Sequence, residues 1–389
     1  MCVLLLKTKK TIINQNQLVM SKIKLMILLT LFTFGFIFQG CDKEDEVNVN
    51  EAASILPSAF GIDIPNSISA PSSSGKSSAV NDTLKGDEIY QHLRVFIHIG
   101  EGASEIVQDI MTAIAVHNID EAMSLSYDSD EDGRTKNLEV IENSSFDGEN
   151  WEFQLTITDA QSESNADGGN AIQVFWNRSP VVGIAVLKPY NINRSEHDSV
   201  SDAVFRIDYT ESSEYGYNAH MIVSIAGLPT PSPLDDPYAM NNLKMFVGKS
   251  GNNIDVYGNS NHPNARFFTD NTGFNWAFVA SGKDNEDIGV AEVGLPPSTL
   301  DAAGRDTILD YYAIKNTFTR EIYEAWPNID STDVDAYLQD TDAPGYFGST
   351  GFIQGGTSPG PEYSDLETRI LDLTPFKPKD VSDLAVTFK

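Results

Sequence analysis

The chain has 389 residues, 26 Lys+Arg against 56 Asp+Glu, and a formal net charge of −30. A field of that sign repels nucleic acid and anionic lipid head groups, so neither is an expected partner. Its two cysteines, Cys2 and Cys41, both lie near the N-terminus, so no disulfide framework is expected beyond them.

Lys22 and Lys24 precede an uncharged apolar run, Leu25 to Phe38. As a helix those fourteen residues span about 21 Å, short of the roughly 30 Å hydrocarbon core, which suits a signal-peptide core rather than a membrane span. The run ends in Phe38-Gln39-Gly40-Cys41. This stretch resembles the signal of bacterial lipoproteins, whose lipobox ends in a small residue followed by cysteine, although Gln39 is not the usual small residue. The resemblance implies cleavage after Gly40 and lipidation of Cys41 with diacylglycerol and palmitate. It makes residues 1–40 the signal peptide, with Met20 the more natural start and 1–19 upstream of it. Five lysines and no acid precede Cys41, which leaves 21 basic against 56 acidic residues, a net −35 for the mature part.

Asp42-Lys43-Glu44-Asp45-Glu46 follows at once. This acidic run resembles the export tag of surface lipoproteins in Bacteroidota-type bacteria, and it reads equally as plain linker. Ser67 to Thr83 is rich in Ser with Pro and Gly and reads as flexible tether, so 41–86 is assigned to the tether as a whole. Ile55-Leu56-Pro57 and Phe60-Gly61-Ile62 are more apolar than a tether needs, which points to docking onto the domain.

The domain is expected over 87–389. Asp87 can cap a helix in which Ile89, Leu93, Phe96, Ile97, Ala103, Ile106, Val107 and Ile110 recur at helical spacing. Gly100 and Gly102 interrupt that stripe and predict a kink or a split. Strand patterns follow at Met123–Tyr127, Leu138–Ile141, Trp151–Ile157, Ile172–Trp176, Val181–Leu187, Phe205–Tyr209, Met221–Ala226, Leu243–Val247, Ile254–Tyr257, Trp276–Val279 and Ile288–Val293. Turn-like clusters separate them, among them Asp167-Gly168-Gly169, Gly248–Asn252, Gly258–Asn264 and Gly282–Asp287. A second helix is predicted over Asp306–Ala325, ended by Pro327, with a shorter one after Ser331. The tail from Gly345 to Pro361 is rich in Gly, Pro and Ser. Pro229 to Pro237 marks a candidate sub-boundary. The class is α+β: a long antiparallel meander, curled or half-barrel, packed on an N-terminal helix with a second helix near the C-terminus. In element order it looks like the half-barrels that carry lipids and lipoproteins through bacterial envelopes; fold alone does not assign function.

Asp128-Ser129-Asp130-Glu131-Asp132-Gly133-Arg134-Thr135-Lys136-Asn137-Leu138-Glu139 fits the calcium-loop spacing. By resemblance to EF-hand-like loops, Asp128, Asp130, Asp132 and Glu139 would give side-chain ligands to Ca2+, with the Arg134 carbonyl. Thr135, Lys136 and the strand-like segment that follows depart from that family. The competing reading is an acidic hairpin turn with Asp132-Gly133 supplying the positive-φ position. No H-E-x-x-H, C-x₂-C, P-loop or G-x-S-x-G pattern occurs in the sequence.

Late aromatics, including Trp276, Tyr311, Tyr312, Phe318, Tyr323 and Trp326, are core by spacing or a glycan- or partner-binding face. Asp306-Thr307-Ile308 resembles the O-glycosylation tripeptide of Bacteroidota. The expected function is a non-enzymatic lipid-anchored envelope protein, on the periplasmic side or cell surface of an outer membrane, that binds an apolar or glycan ligand or a partner protein. A structural component of an outer-membrane complex is the alternative, and a secreted hydrolase the third reading.

Overall fold

The computed structural model describes residues 60–71, 84–116, 122–130, 132–195, 200–232, 239–265 and 273–389. Cys41, the signal peptide, the acidic run and residues 72–83 lie outside the described residues. The class is α+β. Among the described residues, thirteen strands run as an unclosed antiparallel meander, with a long helix before them and short helices toward the C-terminus.

The helix α1 is Gly86–Val116, and the strands that follow it are β1 (Met123–Asp128), β2 (Thr135–Phe146), β3 (Glu149–Asp159), β4 (Asn170–Arg178), β5 (Val181–Leu187), β6 (Val204–Thr210) and β7 (Ala219–Ala226). Then come β8 (Asn242–Ser250), β9 (Asn253–His262), β10 (Phe274–Lys283), β11 (Ile288–Gly294), β12 (Gly345–Gly348) and β13 (Gly351–Gly355). The later helices are α2 (Ile314–Ala325), α3 (Ser331–Tyr337), α4 (Ser364–Leu371) and α5 (Pro378–Ser382). The chain divides into two compact units, and one crossing falls between Leu228 and Pro229.

The first unit holds residues 63–101 and 229–384, with strands β8 to β13. Their side chains alternate between two covered faces. On one, Phe96 of α1 packs against Trp276 and His262, and Tyr90 against Phe347 and Phe352. On the other, Ala277, Val279, Val290 and Tyr346 pack with Ile308, Leu309, Tyr363, Leu366, Ile370 and Leu373. A sheet buried on both faces explains the near-continuous apolar runs of β10 and β11. Polar anchors seat the C-terminal helices. Arg369 of α4 forms a two-pronged pair with the buried Asp255, at 2.9 and 2.5 Å. The Asn242 amide donates to the Val381 carbonyl of α5, and Asn261 and Asn275 both contact Ser382.

The second unit holds residues 60–62, 102–228 and 385–389, with strands β1 to β7. Each strand pairs with its successor in antiparallel register. An aromatic cluster of Phe146, Trp151 and Phe175, with Ile184 and Val186, receives Val386 and Phe388.

Several expectations shift, and glycine explains most of them. Gly100 does not split α1, which is continuous over Gly86–Val116; a Cβ there would overlap the Met245 side chain, so the glycine admits a close neighbour. Gly258 lies within β9 rather than in a turn, because its missing side chain leaves room for the Phe278 ring. The Gly-, Pro- and Ser-rich tail opens with β12 and β13, and Gly345 accommodates the Tyr90 ring, 2.7 Å from where a Cβ would sit. The helix expected over 306–325 is instead a π-helical turn, Asp306–Tyr311, and α2, separated at Tyr312-Ala313. The folded part begins before Asp87: Phe60, Ile62, Ile64 and Ile68 are all buried, although the sequence from Ser67 reads as tether.

Candidate functional site

The acidic loop is the turn of a hairpin. Asp128 and Thr135 are register partners on β1 and β2, and the Ser129 N–H donates to the Arg134 carbonyl at 2.8 Å. Gly133 takes φ +63°, as the turn reading of Asp132-Gly133 requires. The Asp128 carboxylate accepts the Thr135 hydroxyl at 2.8 Å, and Asp132 accepts the Arg134 N–H at 3.1 Å.

Behind the turn sits a buried ionic cluster. The side chains of Lys136, Asp132 and Asp159 are 2%, 1% and 0% exposed. The Lys136 ammonium lies 3.1 Å from Asp132 Oδ2 and 3.4 Å from Asp159 Oδ2, and donates to the Asn191 carbonyl at 3.0 Å. Arg134 grips Asp159 with two prongs, at 2.6 and 2.8 Å. Arg194 stacks over Tyr190, places Nε 3.3 Å from Asp159, and donates its backbone N–H to Asp132 at 3.2 Å. Burial pushes the Asp159 carboxyl up, but the bonds and charges of Arg134 and Lys136 outweigh it and hold the group below its ordinary range.

These residues do not fit a calcium ion. Asp132 is already bound to two N–H groups and an ammonium. Glu139 sits on the face of β2 opposite Lys136, because 136, 138 and 140 point inward and 137 and 139 do not. Asp128 and Asp130 are exposed. Among the described residues no three Asp, Glu, His or Cys groups converge as a metal site. The cation that balances Asp132 is Lys136. Sequence spacing reveals the turn but not Asp159, Asn191 and Arg194, which reach it from elsewhere in the chain.

A second polar cluster lies on α1. Ser69 donates to Glu101 Oε2 at 2.6 Å, and His98 Nδ1 is 3.1 Å from the same oxygen and 3.4 Å from Ser69 Oγ. A hydrolytic triad sets acid and serine on opposite ring nitrogens. Here both address Nδ1, so the group is a clamp on the segment around Ser69.

A third candidate lies in the fifty-residue connection between β11 and β12. The other connections between successive strands of the sheet hold sixteen residues or fewer, and such length points to a functional element. Residues 295–344 carry ten acids and three bases. The connection carries the π-turn, α2 and α3, the last capped by Asp330 accepting from Thr332. Its core is Ile322, Val334 and Leu338, with Phe318, Tyr323, Ile329 and Tyr337 half-buried around them. Two large aromatics stay outside: Tyr311 is 56% exposed and Trp326 51%. Arg320 fixes Tyr311 by donating to its carbonyl at 2.7 Å and stacking its guanidinium 4.2 Å from the ring centre. Tyr312 stands edge-on to Tyr311 at 4.8 Å. An ordered aromatic face beside a guanidinium and many carboxylates offers stacking and hydrogen bonds to one ligand.

Comparison with protein-family models, curated proteins and solved structures finds no significant match.

Proposed function

We propose that the chain is a non-enzymatic, lipid-anchored protein of a bacterial outer membrane that binds a glycan through the helical connection between β11 and β12. The observation that carries the reading is the exposed Tyr311 ring held by Arg320, with Trp326 exposed on the same element. Sugar rings present apolar C–H faces that stack on aromatics, and hydroxyls that bond carboxylates and guanidinium groups. An apolar cargo needs an open apolar concavity. In the first unit the inner apolar residues are instead packed by the chain's own helices on both sheet faces. The lipid anchor rests on the targeting pattern ending at Cys41.

Titration of an oligosaccharide panel tests this. Wild-type chain binds at least one member with saturable heat, and Tyr311→Ala lowers that affinity tenfold or more while keeping the fold. Equal binding by both chains overturns the assignment.

The reading as a structural component draws on Ile353, 46% exposed on the outermost strand β13, and Leu371, 61% exposed. It predicts a stable protein complex and no glycan dependence.

A further inference from the structure

The segment Asp63–Ala70 behaves in the structure as a plug, not as linker. Ile68 is fully buried and fills a slot made by two glycines that face each other across β10 and β11, Gly282 and Gly289. A Cβ at Gly289 would overlap the Ile68 side chain, and one at Gly282 would stand 3.1 Å from it. Backbone groups are caught one after another. The Ile64 N–H donates to Glu101 at 3.0 Å and the Ser67 N–H to Asp287 at 2.9 Å. Arg94 donates to the Asn66 carbonyl at 2.5 Å, and the Arg94 carbonyl accepts the Ala70 N–H at 3.2 Å. Within the second unit, Phe60 fills a similar slot: a Cβ at Gly183 would overlap its ring, which stacks on Tyr209 at 5.4 Å.

Resting on the lipoprotein reading above, we propose that this strap is the point at which the membrane tether grips the domain, so that the load from Cys41 passes through Phe60–Ala70 and not through residues 72–83. The consequence is a short leash. Eighteen residues separate Cys41 from Phe60 and span at most about 65 Å. A tether running free to α1 holds forty-four residues before Gly86 and would span about 160 Å. The strap therefore shortens the leash between the lipid surface and the point at which the chain is gripped, and takes residues 72–83 out of the path of the load.

The test uses the whole mature chain, residues 41–389, coupled through its one thiol at Cys41 to vesicles of phosphatidylcholine containing maleimide-phosphatidylethanolamine. A specific protease site is inserted between Ser74 and Gly75. After complete cutting, verified on a denaturing gel, the strap holds and the 75–389 piece still floats with the vesicles. Ile68→Asp abolishes that retention, and the milder Ile68→Ala shortens it at least tenfold in time while circular dichroism stays native. Immediate release of the cut wild-type chain overturns the proposal. Chemical coupling makes this independent of native lipidation, which palmitate labelling in the host tests separately.

Discussion

Lys136 holds its ammonium 3.1 Å from the Asp132 carboxylate, within the loop whose acid spacing suits a divalent cation. The chain supplies its own counter-ion there. Because the pair is almost wholly buried with Asp159, removing one member leaves charge uncompensated, which in such settings costs about 3–5 kcal/mol. Asp159→Asn is expected to lower the urea-unfolding free energy by that order, since Arg134, Lys136 and Arg194 all address the lost charge.

Calcium at millimolar concentration, or its chelation, leaves the melting temperature of the wild-type chain unchanged. Lys136→Ala removes the resident cation and lowers the melting temperature, and calcium does not restore it, because Glu139 lies on the opposite face of β2 and Asp128 and Asp130 are exposed. A calcium-dependent rise in the wild type would show that the ion displaces the ammonium.

Acid weakens the fold through Asp159 and Glu101. Burial raises the Glu101 carboxyl, but bonds from His98, Ser69 and the Ile64 N–H more than offset it, so both groups sit below their ordinary values in the folded chain. A group lowered on folding contributes its stability above the unfolded value and loses it as pH falls through the folded one. The urea midpoint is therefore flat near neutrality and falls below about pH 4, the ordinary carboxyl range. Asp159→Asn and Glu101→Gln each flatten part of that fall.

Gly183→Ala drives a methyl group into the Phe60 ring and the Phe175 carbonyl. Overpacking of this kind costs about 1–3 kcal/mol. Adding Phe60→Leu recovers part of the loss if the ring is the obstacle, which a double-mutant cycle in urea measures directly.

The strands were legible because half-buried faces alternate: Phe205, Ile207 and Tyr209 are buried between the half-exposed Val204, Arg206 and Asp208, and the continuous run Val181–Leu187 is a strand with those same limits. What escaped was glycine used for contact. Gly100, Gly258 and Gly345 look like breakers in one dimension, yet each makes room for a side chain far along the chain: Met245, Phe278 and Tyr90. Because β12 is glycine-rich and has no alternating apolar pattern, the sequence does not mark where the connection from β11 ends. Tyr311 and Trp326 sit at helical spacing that favours a core reading, and only the fold shows them outside. The acidic loop was readable as a turn, but the partners that fill it lie 23 to 62 residues away.

The most direct measurement is native mass spectrometry of the Asp42–Lys389 chain purified from its own host, beside a Tyr311→Ala/Trp326→Ala double variant. Exposed positions of this kind change stability by about 0.5 kcal/mol or less, so both chains should be folded. Glycan binding through this face gives a wild-type mass raised by a carbohydrate ligand and a double variant without it. A bare wild-type protein, or a lipid adduct kept by both chains, would contradict it.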